Sequence, residues 1–152
     1  MFLEEKDITL KRLQEASRIC GNIPRQCFDA AVDPLYLSIA KMEIRRAIGG
    51  TGDLYGAIIN LSDGDLDTYQ AFQRRPSSEN RLWVNRLVEP VSDWAFLEMM
   101  DVLDNRRPGS AYEFYCAIKA RGDCAELARR TFEYHLHEFL KTSSQTFAIE
   151  SR

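Results

Sequence analysis

Apolar residues along this chain recur every three to four positions, and glycine, proline and capping side chains interrupt them at short intervals. In residues 1–21, Ile8, Leu10, Leu13, Ala16, Ile19 and Cys20 form a helical stripe that Gly21 stops. Pro24 opens an ambiguous short piece carrying Cys27, Phe28 and Ala31. Asp33-Pro34 is a clear helix start, an N-cap followed by proline at the first helical position. Leu35, Ile39, Met42 and Ala47 then ride one face, widened by Tyr36, Leu37, Ala40 and Ile44. That helix is expected to be almost surrounded by others before Gly49-Gly50 ends it.

Thr51 is placed to cap a short helix ending near Asn60. Ser62 or Asp63 begins a predicted helix with Leu66, Tyr69 and Phe72 in steps of three, stopped by Pro76. Ser77 or Ser78 begins another through Leu82, Trp83, Val84, Leu87 and Val88, stopped by Pro90. Ser92 begins a further one carrying Trp94, Phe96, Leu97, Met100 and Leu103, closed before Pro108-Gly109. The strongest signal is a helical hairpin from Ser110 to Leu140. Ser110 with Glu113 has capping-box spacing, and Asp123 with Glu126 repeats it after the Arg121-Gly122-Asp123 turn. Gly122 is expected to end the first helix in a left-handed conformation. Ala111, Phe114, Tyr115 and Ile118 line the first helix; Ala125, Ala128, Phe132, Leu136 and Phe139 line the second.

No segment alternates apolar and polar residues for any length, and every proline falls between elements. The pattern predicts an all-α fold of about eight helices, packed as antiparallel hairpins in a bundle or an irregular solenoid. A single domain spans 1–142, with 143–152 a short tail or frayed turn. Gly52-Asp53 and Gly122-Asp123 sit in equivalent turns, spaced at twice the roughly 35-residue period of tetratricopeptide-like arrays. The detailed consensus of those repeats is not followed.

At 152 residues, with 45% hydrophobic and 28% charged positions, the chain has room for one ordinary globular core. A net charge of −3 excludes a strongly basic nucleic-acid binder. The Arg-Arg pairs at 45/46, 74/75 and 106/107 precede expected helix ends, where positive charge offsets the helix dipole. The fourth pair is 129/130. An acidic N-terminus without an apolar core segment predicts no leader, and no apolar run approaches a membrane span. Cys20, Cys27, Cys116 and Cys124 form no CxxC pair, so free thiols in a reducing intracellular compartment are expected.

Each candidate for chemistry has a simpler structural account. GGTGDLYG at 49–56 lacks the lysine of a phosphate loop and follows a helix rather than a strand. DGDLD at 63–67 has Thr68 and Arg74 where a calcium loop requires glycine and glutamate. Cys124, expected to be acidified near a helix N-terminus, stands roughly 16 Å along the helix from His135. His135 and His137 diverge on a helix, so no metal is expected. No catalytic residue, cofactor or metal ligand is therefore assigned. Trp83, Arg129, Arg130, Tyr134, Leu136 and Phe139 are the candidates for contact with a protein partner.

Tyr112, Glu113, Tyr115, Ala117, Arg121, Gly122, Ala128, Phe132, Glu133 and Tyr134 fit a run of aromatics and glutamate, an Arg-Gly turn, and an aromatic-Glu-aromatic run. In this the chain resembles the C-terminal helical region of the large scaffold nucleoporins of the Y-shaped nuclear pore subcomplex. LYLSIAKMEIRRAIGGTGDLYGAIINL and RLWVNRLVE at 81–89 are similar to upstream pieces of that region, so the resemblance spans about residues 35 to 140. Ala111 stands where the family pattern has a second aromatic, and the chain has no room for that family's β-propeller. The resemblance implies a non-enzymatic scaffold at the nuclear envelope that docks other pore subunits through helical surfaces.

Three functions follow as expectations. The first is a helical scaffold or interaction protein with protein partners, through which a homo-oligomer would form at the terminal helices. The second is a compact adaptor, regulator or host-directed effector unrelated to nuclear pores. The third, least favoured of the binding roles, is an arginine-based nucleic-acid module. An enzyme is not expected, nor is a membrane protein.

Overall fold

The computed structural model describes residues 9–21, 23–60, 71–76, 86–107 and 109–142, with the side chains of 60, 75, 76, 86 and 137–142 outside that description. The fold is mostly helical. In chain order it runs α1 (Leu10–Cys20), α2 (Pro24–Val32), α3 (Pro34–Gly49), α4 (Leu54–Asn60), β1 (Phe72–Pro76), β2 (Arg86–Pro90), α5 (Asp93–Arg106), α6 (Ser110–Ile118) and α7 (Ala125–Thr142). A 3-10 turn, Gly122–Cys124, leads into α7.

The sequence pattern predicts helices over 62–76 and 77–90, and the described parts of both spans are strands instead. β1 and β2 pair antiparallel, with Phe72 opposite Pro90, Arg74 opposite Val88 and Pro76 opposite Arg86. Each strand has only five residues, too few for alternation to stand out from the helical spacing of Leu66, Tyr69 and Phe72. What selects the extended form is long-range: Val88 and Phe72 are buried, and β2 packs on α7 and the 3-10 turn. Each strand ends in a proline, a residue that central ladders exclude and strand ends tolerate. Leu66, Tyr69, Leu82 and Trp83 lie outside the described residues.

α5 is the hub of the core. Ala95, Phe96, Met99, Met100 and Leu103 are buried on a face wide enough to meet α1 and α3 on one side and α6 and β2 on the other. Ser92 starts it as expected, its hydroxyl accepting from the Ala95 amide at 3.0 Å. Around it, α1 packs along α2, α2 along α3, and α6 along α7. One continuous apolar cluster runs from Ala16 in α1 to Ala128 in α7.

The helix ends follow local chemistry, with several changes from the sequence reading. Asp33 caps α3 through the Leu35 amide at 2.9 Å. Asp53, rather than Thr51, caps α4, accepting from Tyr55 at 3.0 Å; Thr51 instead turns back to the Ala47 carbonyl and closes α3. The expected capping box at Ser110 and Glu113 does not form. Ser110 lies inside α6, whose N-cap is Gly109 at φ 87°, and Glu113 pairs with Arg107. Asp123 is held by Arg121 at 3.0 and 2.7 Å. The positive-φ glycines among the described residues are Gly21 and Gly109, not Gly122. At Gly21, φ is 70° and an added Cβ would stand 1.7 Å from the Val91 carbonyl oxygen. Only glycine fits where the end of α1 meets the chain entering α5.

Candidate functional site

Two surfaces depart from ordinary solvated helix faces. The first is on α3. Its buried side carries Ile44, Ala47 and Ile48, with Leu37 and Ala40 packed partly against the core. Leu35, Ile39 and Met42, at i, i+4 and i+7, fall on the opposite side, and Tyr36 borders them. They are not covered: Leu35 is 65% exposed and Met42 61%. The sequence pattern predicts α3 surrounded by neighbours, but only one of its two apolar sides meets the core. Phe28 on α2 is also exposed.

Internal polar contacts fix α3 in place. Arg45 makes a bidentate ion pair with Glu98 of α5 at 2.9 and 2.8 Å, and its guanidinium lies 5.2 Å from the centre of the Trp94 ring. At the far end of α5, Arg106 donates to the carbonyl oxygens of Thr51 and Gly52, tying the α3–α4 connection to the hub.

The second surface is a recess of about 380 Å³ between α6 and α7, closed at one end by the last turn of α5. The inward stripe of α6 is Ala111, Phe114 and Ile118, which leaves Tyr112 and Tyr115 on its flank. On α7 the described buried positions are Leu127, Ala128 and Thr131, so of the expected stripe Ala128 reaches the core while Ala125, Phe132 and Leu136 turn outward. Thr131 makes this possible. Its hydroxyl donates to the Leu127 carbonyl at 2.8 Å, which lets a polar residue occupy a core position. Phe132 and Leu136 are consequently 51% and 46% exposed.

Aromatic rings form one wall of the recess. Tyr112 and Tyr115 stand 6.4 Å apart, Tyr115 and Phe132 5.8 Å, each pair tilted by 37°. Lys119 places its ammonium 5.6 Å from the centre of the Tyr115 ring. Asp104, Arg107, Ser110 and His135 supply the polar positions. Arg107 is committed to Glu113, whereas Asp104 makes no ion pair or hydrogen bond among the described residues. The His135 Nε2 is buried without a hydrogen-bond partner among them.

The sequence-based candidates separate into distinct roles. Arg129 bonds Glu126 and Glu133 on its own helix, a solvated arrangement. Arg130 reaches Asp93 at the start of α5 at 2.8 Å and covers the Phe96 ring at 4.3 Å, so it fastens α7 to the hub. Tyr134 is half-buried, edge-on to Phe96 at 6.1 Å and to His135 at 5.4 Å. Leu136 is exposed beside the recess wall. Phe139 belongs to α7 with its side chain outside the described residues, and Trp83 lies outside them altogether.

The buried thiols are not activated. Burial pushes Cys20 and Cys124 up to about 11, so position near a helix start does not acidify Cys124. Cys27 is also raised by burial, and its thiol donates to the Gly21 carbonyl at 3.1 Å. Among the described residues, no three His, Cys, Asp or Glu side chains converge to hold a metal ion. No helix among them is long and apolar enough to cross a membrane. Neither family models, curated proteins nor solved structures give a match to this chain.

Proposed function

We propose that this protein is a non-catalytic interaction module that docks other protein subunits, with the open side of α3 as its docking surface. One observation carries the reading: α3 is apolar on two opposite sides and the other described elements cover one. A helix apolar all round is ordinarily enclosed, and uncovered apolar patches on folded domains mark interaction sites. The spacing of Leu35, Ile39 and Met42 matches the stripe of an amphipathic partner helix laid along α3, with Tyr36 as an aromatic anchor at the edge.

The nucleoporin resemblance makes nuclear pore scaffold subunits the first partners to seek, and stacking of helical pairs as a solenoid belongs to that reading. A compact adaptor is the second reading. It is favoured by the packing of α1 on α5 and of α7 on β2, which joins elements distant in sequence. The engagement of Arg45, Arg106, Arg107, Arg129 and Arg130 with partners inside the chain speaks against an arginine-based phosphate-binding face.

The test is affinity purification of the tagged full chain beside an Ile39→Glu/Met42→Glu variant whose helical content is unchanged. The wild type should retain partners in near-equal amounts, and the variant should lose them. Several pore-scaffold subunits would support the first reading; a single unrelated partner would support the adaptor. Equal recovery by wild type and variant would refute α3 as the docking surface.

A further inference from the structure

We propose that the occupant of the open side of α3 is a second copy of this chain, laid antiparallel across a two-fold axis that passes between positions 44 and 45. This rests on α3 as the docking surface and names the subunit that docks there.

The open side carries more than its apolar row. Continuing the spacing of Leu35, Ile39 and Met42 along the helix places Glu43, Arg46 and Gly50 on the same face. Glu43 and Arg46 are both exposed. Neither makes an ion pair or side-chain hydrogen bond among the described residues, and they are not paired with each other. Arg45, one residue before, is already taken by Glu98. One free acid and one free base beside an apolar row make a self-complementary face. A two-fold interface needs that property, because each contact from residue i to residue j is repeated from j to i. A partner of a single charge sign would satisfy only one of the two.

Helix geometry sets the register. With a rise of about 1.5 Å per residue, an axis between 44 and 45 brings Glu43 level with Arg46 of the other copy, twice. Ile39 then comes level with the other copy's Gly50, beside Gly49, where an added Cβ would meet nothing within 4 Å. The glycine pair leaves room for the isoleucine side chain. The antiparallel course also sets opposed helix dipoles side by side. Standard interfaces bury about 800 Å² on each partner, and one helix face offers less, so a dissociation constant of about 10 µM to 1 mM is expected.

The experiment is sedimentation equilibrium of the full chain over about 5 µM to 1 mM, with circular dichroism confirming unchanged helix content in each variant. The wild-type mass should climb from 17.5 kDa toward twice that value. Met42→Glu should abolish the climb. Glu43→Arg and Arg46→Glu, both at exposed positions, each turn two attractive contacts into two repulsive ones and should weaken association by at least about tenfold. Mixed in equal amounts, these two variants regain both pairs, and their heterodimer should form within about threefold of the wild-type constant.

A monomer throughout, a dimer that survives Met42→Glu, or a mixture no tighter than either reversed variant alone would overturn the proposal. A monomer whose Ile39→Glu/Met42→Glu variant still loses partners in affinity purification would keep α3 as a docking surface for a different protein. If that variant kept its partners, both readings would fall.

Discussion

Substituting the two sides of α3 separately should give stability losses that differ severalfold, although both sides are apolar in sequence. Ile48 is 1% exposed and Ile44 5%. Truncating either to alanine removes buried methylenes and leaves a cavity, at a cost of about 2–5 kcal/mol. Met42 and Leu35 keep more than half of their surface in water, at 61% and 65% exposure. Full burial of such a side chain contributes about 1.5–3 kcal/mol, so these two contribute about 0.5–1 kcal/mol each. Glutamine preserves helix propensity at both sites. With a urea m value of about 2 kcal/mol/M, Ile48→Ala should lower the unfolding midpoint by about 1–2.5 M and Met42→Gln by less than about 0.5 M. Circular dichroism at 222 nm follows both transitions. Midpoint shifts of equal size would show that Met42 is covered in the isolated chain, and the argument for a docking surface would fail. A Met42→Gln effect that grows with protein concentration would instead identify a second copy of the chain as the occupant.

Gly21→Ala should cost at least about 3 kcal/mol, combining a left-handed φ with a clash against the Val91 carbonyl; a thermal-melt loss below 1 kcal/mol would contradict that packing. Ser92→Ala should cost about 1 kcal/mol because its hydroxyl caps α5, whereas Ser110→Ala should be nearly neutral. Equal urea-denaturation effects would put a cap back on Ser110. Unfolded thiols ionise near 9.0, and in the folded chain Cys20 and Cys124 are raised to about 11. The stability they confer is complete below pH 9 and is lost as pH rises toward 11, by about 1.4 kcal/mol per pH unit for each thiol. Melts from pH 8 to 11 should therefore be flatter for Cys124→Ala than for the wild type.

How far the sequence foretold the fold can be judged from its caps and stripes. Gly21, Asp33-Pro34, Gly49-Gly50 and Ser92 sit at helix boundaries close to where their chemistry places them, because a cap is a local event. The hairpin is different. Phe72 fits a helical stripe with Tyr69 and Leu66, and only its pairing opposite Pro90 and the burial of Val88 make the extended form preferable. A periodicity window cannot contain that pairing. The outward turn of Phe132 and Leu136 was equally hidden, since it depends on Thr131 meeting its hydrogen-bond needs within α7. Glu113 and Asp123 had capping spacing but closer partners in Arg107 and Arg121. At the recess, His135 was visible as a residue and its orphaned nitrogen was not; Asp104 carried no sequence signal at all.

The Arg45 fork on Glu98, braced by the Trp94 ring, has a thermodynamic consequence for any partner of α3. Association is opposed by the freedom that loops and side chains lose on contact, about 0.5–1.5 kcal/mol for each long side chain that must be stilled. α3 meets its partner as a formed helix already fastened to the hub through Arg45. Arg45→Ala would leave every apolar contact residue in place, yet it should speed dissociation while barely changing the rate of encounter.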